Sequence, residues 1–541
     1  MRIAIGLIAF LLIAITAKSQ NTIGLPNIVS YTRQVYNAGN QNWYIAQDSS
    51  GIMYFANNKG LLVFDGTSWR TYPLPNGTIV RSLAVGSHHR MYVGGQEEFG
   101  YFSPDRNGEL QYTSLKPLVP QKDNDFADVW NICVSDNRVF FRSNKKIFEL
   151  NGDIITVHPS INWGFLGVTT GGLIAQEYTK GLVKYTKGEW VSCIKTGSLP
   201  KEVRITAALP VGKDSMLLTT LVHGLYLLKH DTITYFDAPG TRDIVSKNIY
   251  NACMLSEDKI ALITNLAGCV IINKRGEFIQ RFSKKEGIQN NNILSVKLDR
   301  DMNLWLGLDN GIDMVTYSNA IKNIFADGDD RNSGYTSMVY HNQLYLGLST
   351  GLYKVNLQTG IKDLSYTNGS FEFVQHSEGQ VWNLSQVNDQ LLMGHNTGAY
   401  LINNNNAVVI DEKTGFWNFQ PLYDQRPSPV MIAGTYNGIN FYNYANGAFS
   451  NPKIHAQFES ARYVAINKDT IWIAHPYKGL YRVAFDGNGR PFSLIYKDTR
   501  KILSANHNHL YKAMGKLILT TDKGTFEYDV QQKDFVRAAW L

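Results

Sequence analysis

Residues able to hold a ligand stand at one recurring place in this sequence. Trp43, Arg81, Trp130, Thr206, Tyr250, Asn292, Thr336, Trp382, Gln420 and Arg462 each open the first apolar strand of a repeating unit. Indole and phenol rings supply flat apolar faces, guanidinium groups supply forked donors, and amides both donate and accept. Gathered at the mouth of a ring, that mixture suits a sugar, which stacks on rings and hydrogen-bonds through its hydroxyls. Trp43, Arg81, Trp130, Tyr250, Asn292, Trp382 and Arg462 are therefore the ligand-binding candidates. The competing reading is that the tryptophans plug the axis of the ring.

Other spacings point to structure rather than chemistry. Asp65-Gly66-Thr67-Ser68-Trp69 reads as a tight turn, because Asp-Gly is a favoured turn pair. Asp299, Asp301 and Asn303 alternate like the start of a calcium loop but lack its later Gly and Glu, which leaves a hairpin turn. His507 and His509, and the pair His88-His89, have no further metal ligand at a recognisable spacing. No Gly-x-Ser-x-Gly elbow occurs, and carboxylates stand singly rather than as a glycosidase pair. Gly94-Gly95 and Gly171-Gly172 lack the Gly and Lys of a phosphate loop. Cys133, Cys193, Cys253 and Cys269 share no CxxC spacing and read as small buried hydrophobes. No catalytic residue, metal or cofactor is expected.

The elements that must position the candidates come from self-comparison. An apolar strand, a polar turn, a second apolar strand and a Gly-led third recur, most clearly over residues 292–315. Anchors on the third strand at Gly60, Gly100, Lys146, Gly181, Gly224, Gly268, Gly311, Gly351, Gly398, Gly438, Gly479 and Gly524 are spaced by about 42 residues. Period-2 alternation, as in Leu304-Trp305-Leu306-Gly307-Leu308, supports strands, and no window has a sustained helical period. This predicts an all-β chain of two consecutive β-propellers built from four-stranded blades. Residues 20–330 would form the first, with about seven blades, and residues 331–541 the second, with about five and so incomplete.

Composition agrees with that class. Charged residues make up 18% of 541 residues, while 46 Gly, 10 Trp, 30 Tyr and 25 Phe are present, which argues against disorder and coiled coil. The net charge of +7 is scattered, so no nucleic-acid partner is expected. Residues 1–19 read as a signal peptide: Arg2, an apolar stretch from Ile3 to Ile15, then Ala17-Lys18-Ser19 before Gln20. Cleavage after Ser19 would give a periplasmic or otherwise exported chain without a membrane span.

The segment from Asp299 to Ile312, with its Asn303-Leu304-Trp305-Leu306-Gly307-Leu308 centre, resembles the two-component regulator propeller repeat. GLPNIVSY and the stretch from Gln41 to Trp69 resemble the N-terminal region of exported sensor proteins of that family. There, two propellers precede a triple-tyrosine β-sandwich, a membrane span and a LuxR-type or histidine-kinase output module. The resemblance implies a non-catalytic sensor of oligosaccharide, truncated before those modules, that signals through a protein partner or by dimerisation. The alternatives are a propeller enzyme, lyase or glycosidase, acting on polysaccharide, and a protein-interaction scaffold.

Overall fold

The computed structural model describes residues 21–540 except Thr170, 195–198, Lys201, Asp327, 329–331, 451–453, Phe458, 468–469, Pro476 and Gly489. The expected signal peptide and its cleavage point lie outside the described residues. The regular structure is nearly all β, and the chain divides into two compact units after Ile324, six residues before the boundary drawn from the sequence.

The first unit holds seven four-stranded antiparallel sheets. Six are consecutive meanders, beginning with Asn42–Gln47, Met53–Asn57, Gly60–Phe64 and Trp69–Tyr72. The seventh takes Ile293–Leu298, Leu304–Leu308 and Ile312–Val315 and adds Ile28–Tyr31 as its outer strand, paired Ser30 to Asp313. The innermost strands touch in order, and that of the seventh sheet packs on that of the first. Seven apolar layers, one between each pair of neighbouring sheets, complete the ring.

The repeat has a physical basis in this packing. A blade is covered on both faces, so its second strand is buried throughout: Met53–Asn57 and Leu304–Leu308 are buried at every residue. Leu304, Leu306 and Leu308 pack towards the sixth sheet, and Trp305 packs towards the first. The alternation read from the sequence therefore separates two buried faces, not a buried face from a wet one. Gly307 sits where the first sheet passes closest; a Cβ there would lie 2.1 Å from Ser295 Oγ and 2.7 Å from the Asn42 carbonyl. Gly60 opens its third strand at φ +129, a conformation that disfavours side chains. Trp305 Nε1 donates to Asp299 Oδ2 at 2.8 Å, and the Tyr54 hydroxyl donates to Asp48 Oδ2 at 3.0 Å, so the turn aspartate six residues before the aromatic anchors each hairpin.

The second unit holds five sheets, whose innermost strands are Gly334–Tyr340, Val381–Val387, Phe416–Pro421, Tyr463–Asn467 and His509–Ala513. These strands touch in order from first to fifth. Among the described residues, four apolar layers join the five sheets. The outer sheets keep apolar side chains in water: Val339 is 56% exposed, and Met514 is 86% exposed.

Candidate functional site

A β-bulge positions the side chains at the start of the innermost strands. The register between the first and second strands slips by one residue at Trp43, Arg81, Thr206 and Tyr250 in the first unit. It slips in the same way at Tyr335, Trp382 and Trp417 in the second. A bulge places two residues against one and re-aims the extra side chain, here at the entry to each innermost strand. Trp130 and Arg462 occupy the equivalent place by directly preceding innermost strands.

In the first unit, Arg81 lies between two indoles, its guanidinium 4.1 Å from the Trp43 ring and 4.9 Å from the Trp130 ring. The two rings meet edge to face at 6.2 Å. Arg81 Nε donates to Asp128 Oδ1 at 3.0 Å, and Trp43 Nε1 donates to Asn58 Oδ1 at 2.7 Å. Burial raises the Tyr250 pKa, opposed by the charges of Arg204, Arg81 and Arg142. Asn292 instead accepts from Asn265 Nδ2 at 2.9 Å. Thr206 donates to the Ile249 carbonyl at 2.9 Å, tying the fifth sheet to the sixth. The sequence therefore brings Trp43, Arg81 and Trp130 together, sets Tyr250 in reach of their charge, and leaves Thr206 and Asn292 in bonds between neighbouring strands and turns.

In the second unit the same position builds an aromatic wall. Tyr335 and Trp382 have ring centroids 4.7 Å apart, Trp382 and Trp417 5.1 Å, and Trp417 and Tyr436 4.7 Å. Trp382 Nε1 donates to the Tyr436 hydroxyl and Trp417 Nε1 to Ser460 Oγ, both at 2.7 Å, which fixes the rings. The Arg462 guanidinium lies 4.9 Å from the Trp417 ring. Tyr335, Trp382, Trp417 and Arg462 line a cavity of about 910 Å³ to which all five sheets contribute, and Tyr436 backs the two indoles. Polar groups enter it from Asn383, Asn418, Gln420, Asp424 and Lys512. Asn418 Nδ2 donates to the Arg462 carbonyl at 2.7 Å, while its Oδ1 is buried with no donor among the described residues. Beside the cavity residue Tyr463, at 4.7 Å, stands His509; burial, then His507 and Arg462, lower its pKa, so it is neutral at pH 7.

Of the sequence candidates, Trp382, Arg462 and Gln420 line this cavity, whereas Thr336 Oγ1 accepts from the Leu384 amide at 3.2 Å. Sequence reasoning missed Tyr335 and Trp417. The signal was a repeated Trp-Asn pair at the opening of the innermost strand, present as Trp130-Asn131, Trp382-Asn383 and Trp417-Asn418.

The remaining motifs are structural. Asp65 accepts from the Thr67 and Ser68 amides at 2.8 and 2.7 Å, which brings its carboxyl down to about 2. His88 and His89 both have positive φ in the turn between the first two strands of the second sheet. Among the described residues no group of three or more His, Cys, Asp or Glu side chains could hold a metal. Burial pushes the Cys133 and Cys253 thiols up to about 12. No described helix is long and apolar enough to cross a membrane.

No family model and no curated protein matches the chain. Among solved structures it is similar to the extracellular domain of a putative hybrid two-component system from B. thetaiotaomicron, at 15% identity and TM-score 0.69, covering 94% of this chain and 72% of that one. The extracellular domain of a putative one-component system from B. thetaiotaomicron aligns at 13% identity and TM-score 0.43, over 96% of this chain and 73% of that one. Virginiamycin B lyase from Staphylococcus aureus aligns at 13% identity and TM-score 0.41, over 54% of this chain and 99% of that one. At these identities the likeness is one of fold: the chain is built of β-propeller blades.

Proposed function

We propose that this chain is the extracytoplasmic sensing part of a regulatory system, and that the cavity of its second unit binds an oligosaccharide without turning it over. The observation that carries this reading is the wall Tyr335, Trp382, Trp417 and Tyr436 beside Arg462. Ring faces flanked by amides and a guanidinium match the alternating apolar faces and hydroxyl edges of sugars. The cavity of about 910 Å³ has the size of a small-ligand site. Its lining includes one carboxylate, Asp424, where glycoside hydrolysis ordinarily uses two. The resemblance to extracellular domains of two-component systems supports the location and the sensing role. A ligand signals by binding two arrangements of its receptor unequally, so output passes to whatever this unit contacts.

One cluster favours the enzymatic alternative. Arg462, Tyr463, neutral His509 and Tyr511 adjoin one another, with the Tyr511 hydroxyl 3.3 Å from His509 Nδ1. A base beside a cation is what β-elimination from a uronate requires. Isothermal titration of the chain with an oligosaccharide panel, with product analysis of the same samples, separates the two. Saturable binding with intact glycan supports the sensor; turnover lost in His509→Ala supports the lyase; neither result in any sample removes both.

A further inference from the structure

The first unit carries positive charge that the reading above does not use. Tyr250 lies within electrostatic reach of Arg204, Arg81 and Arg142. Arg81 and Tyr250 occupy bulges in the second and sixth sheets, Arg142 ends the second strand of the third, and Arg204 directly precedes the innermost strand of the fifth. Groups from four sheets of one ring thus stand at or beside the openings of its innermost strands, Arg142 reaching the carbonyl of Trp163 at the opening of the fourth sheet.

Their charges are poorly compensated. Arg142 is 4% exposed, and its Nε and Nη1 donate only to neutral oxygens, Asn131 Oδ1 at 2.7 Å and the Trp163 carbonyl at 2.6 Å. Burial, then the charge of Arg204, bring its guanidinium down to about 9, so it remains a cation at neutral pH. Arg204 is exposed, and among the described residues its side chain has no hydrogen bond or ion pair. Among the described residues, Asp128 is the one carboxylate paired with any of the three, through Arg81 Nε. Arg81 Nη1 is buried without an acceptor, although the indoles of Trp43 and Trp130 hold its guanidinium in place. A buried cation without a counter-charge is costly, and a bound anion relieves the cost.

We propose that the mouth of the first ring is an oxyanion subsite in which Arg81, Arg142 and Arg204, with the Tyr250 hydroxyl, take the carboxylate or sulfate group of a small acidic saccharide. Guanidinium forks match both groups in geometry and charge, and Arg81 and Arg142, already held in place, bind with little ordering cost. The site stands on its own residues and is independent of the second-unit cavity.

The test is calorimetric titration of the whole chain with glucuronate, glucose 6-sulfate and glucose at matched ionic strength. At least one acidic probe should bind saturably and more tightly than glucose; which one does so identifies the anion. Arg204→Gln should weaken that binding by about tenfold, the effect of losing a hydrogen bond to a charged group. The melting temperature should not change, because among the described residues Arg204 anchors no other side chain. Tyr250→Phe should weaken binding by a smaller factor. Acidic probes that bind no better than glucose, or an Arg204→Gln chain that binds them as tightly as the parent, would overturn the proposal.

Discussion

Among the described residues, seven sheets in the first unit share seven apolar layers, whereas five sheets in the second share four, and the same bulge position serves the two units differently. In the ring, an arginine between two indoles fills the position, and the mouth is tight and charged. In the arc, aromatic residues on three successive sheets fill it and leave a cavity of about 910 Å³. The comparison teaches that one backbone device, repeated, yields a stacking wall or a charge cluster according to which side chains occupy consecutive copies.

The largest effect expected from this contrast is on stability. Leu306→Ala, in a fully buried layer of the ring, should cost about 2–5 kcal/mol. Val339→Ala, on the exposed face of the arc, should stay within about 0.5 kcal/mol. All four cysteines lie in the first unit, so pulsed thiol labelling in urea reports its unfolding separately. Equal losses in the two variants would break the comparison.

The binding contrast comes next. Trp417→Ala should weaken oligosaccharide binding by about 2 kcal/mol, roughly thirtyfold, the value of burying one large side chain. Trp43→Ala should leave it unchanged in the same titration. A loss in Trp43→Ala alone would move the sugar site to the ring.

A smaller effect concerns the seam that closes the ring. Burial raises the Asp313 pKa above the ordinary 3.8, against hydrogen bonds from the Gln289 amide, Ser30 and the Gln289 side chain. The folded chain then holds this proton more tightly than the unfolded one. Its contribution to stability is fully present below the unfolded pKa and is lost as pH rises through the raised value. Relative to Asp313→Asn, the parent should lose stability from about pH 4 towards pH 7 in urea titrations. A flat difference would remove Asp313 from the pH response.

The smallest effect sharpens the contrast by cancelling it. Thr206→Val and Thr336→Val each remove one hydroxyl that ties neighbouring sheets, in the ring and in the arc. Each should cost about 1 kcal/mol in the same unfolding assay. Matching costs would show that closure, not local bonding, separates the units.

The fold was legible because each blade must bury both faces, which forces the same apolar strand, turn aspartate and close-packed glycine to recur, as at Asp299, Trp305 and Gly307. Of the aromatic wall Trp382 was legible, together with Arg462 beside it, since both stand at strand openings. Tyr335 was misplaced by one residue, onto Thr336, because a bulge adds a residue that strand periodicity does not register. Arg142 and Arg204 were not legible, because one ends a second strand and the other lies in a loop, and they share no repeat position.

The outer strand of the seventh sheet sets an order of events. Ile28–Tyr31 leaves the ribosome early, yet its partner Ile312–Val315 follows only after nearly the whole first unit has been made, with 283 residues separating Ser30 from Asp313. Closing so long a loop adds to contact order, so the ring cannot finish folding while it is being synthesised, and the last step must be slow relative to hairpin formation. Until then a short, apolar strand end and a matching edge remain open at opposite ends of the same nascent ring.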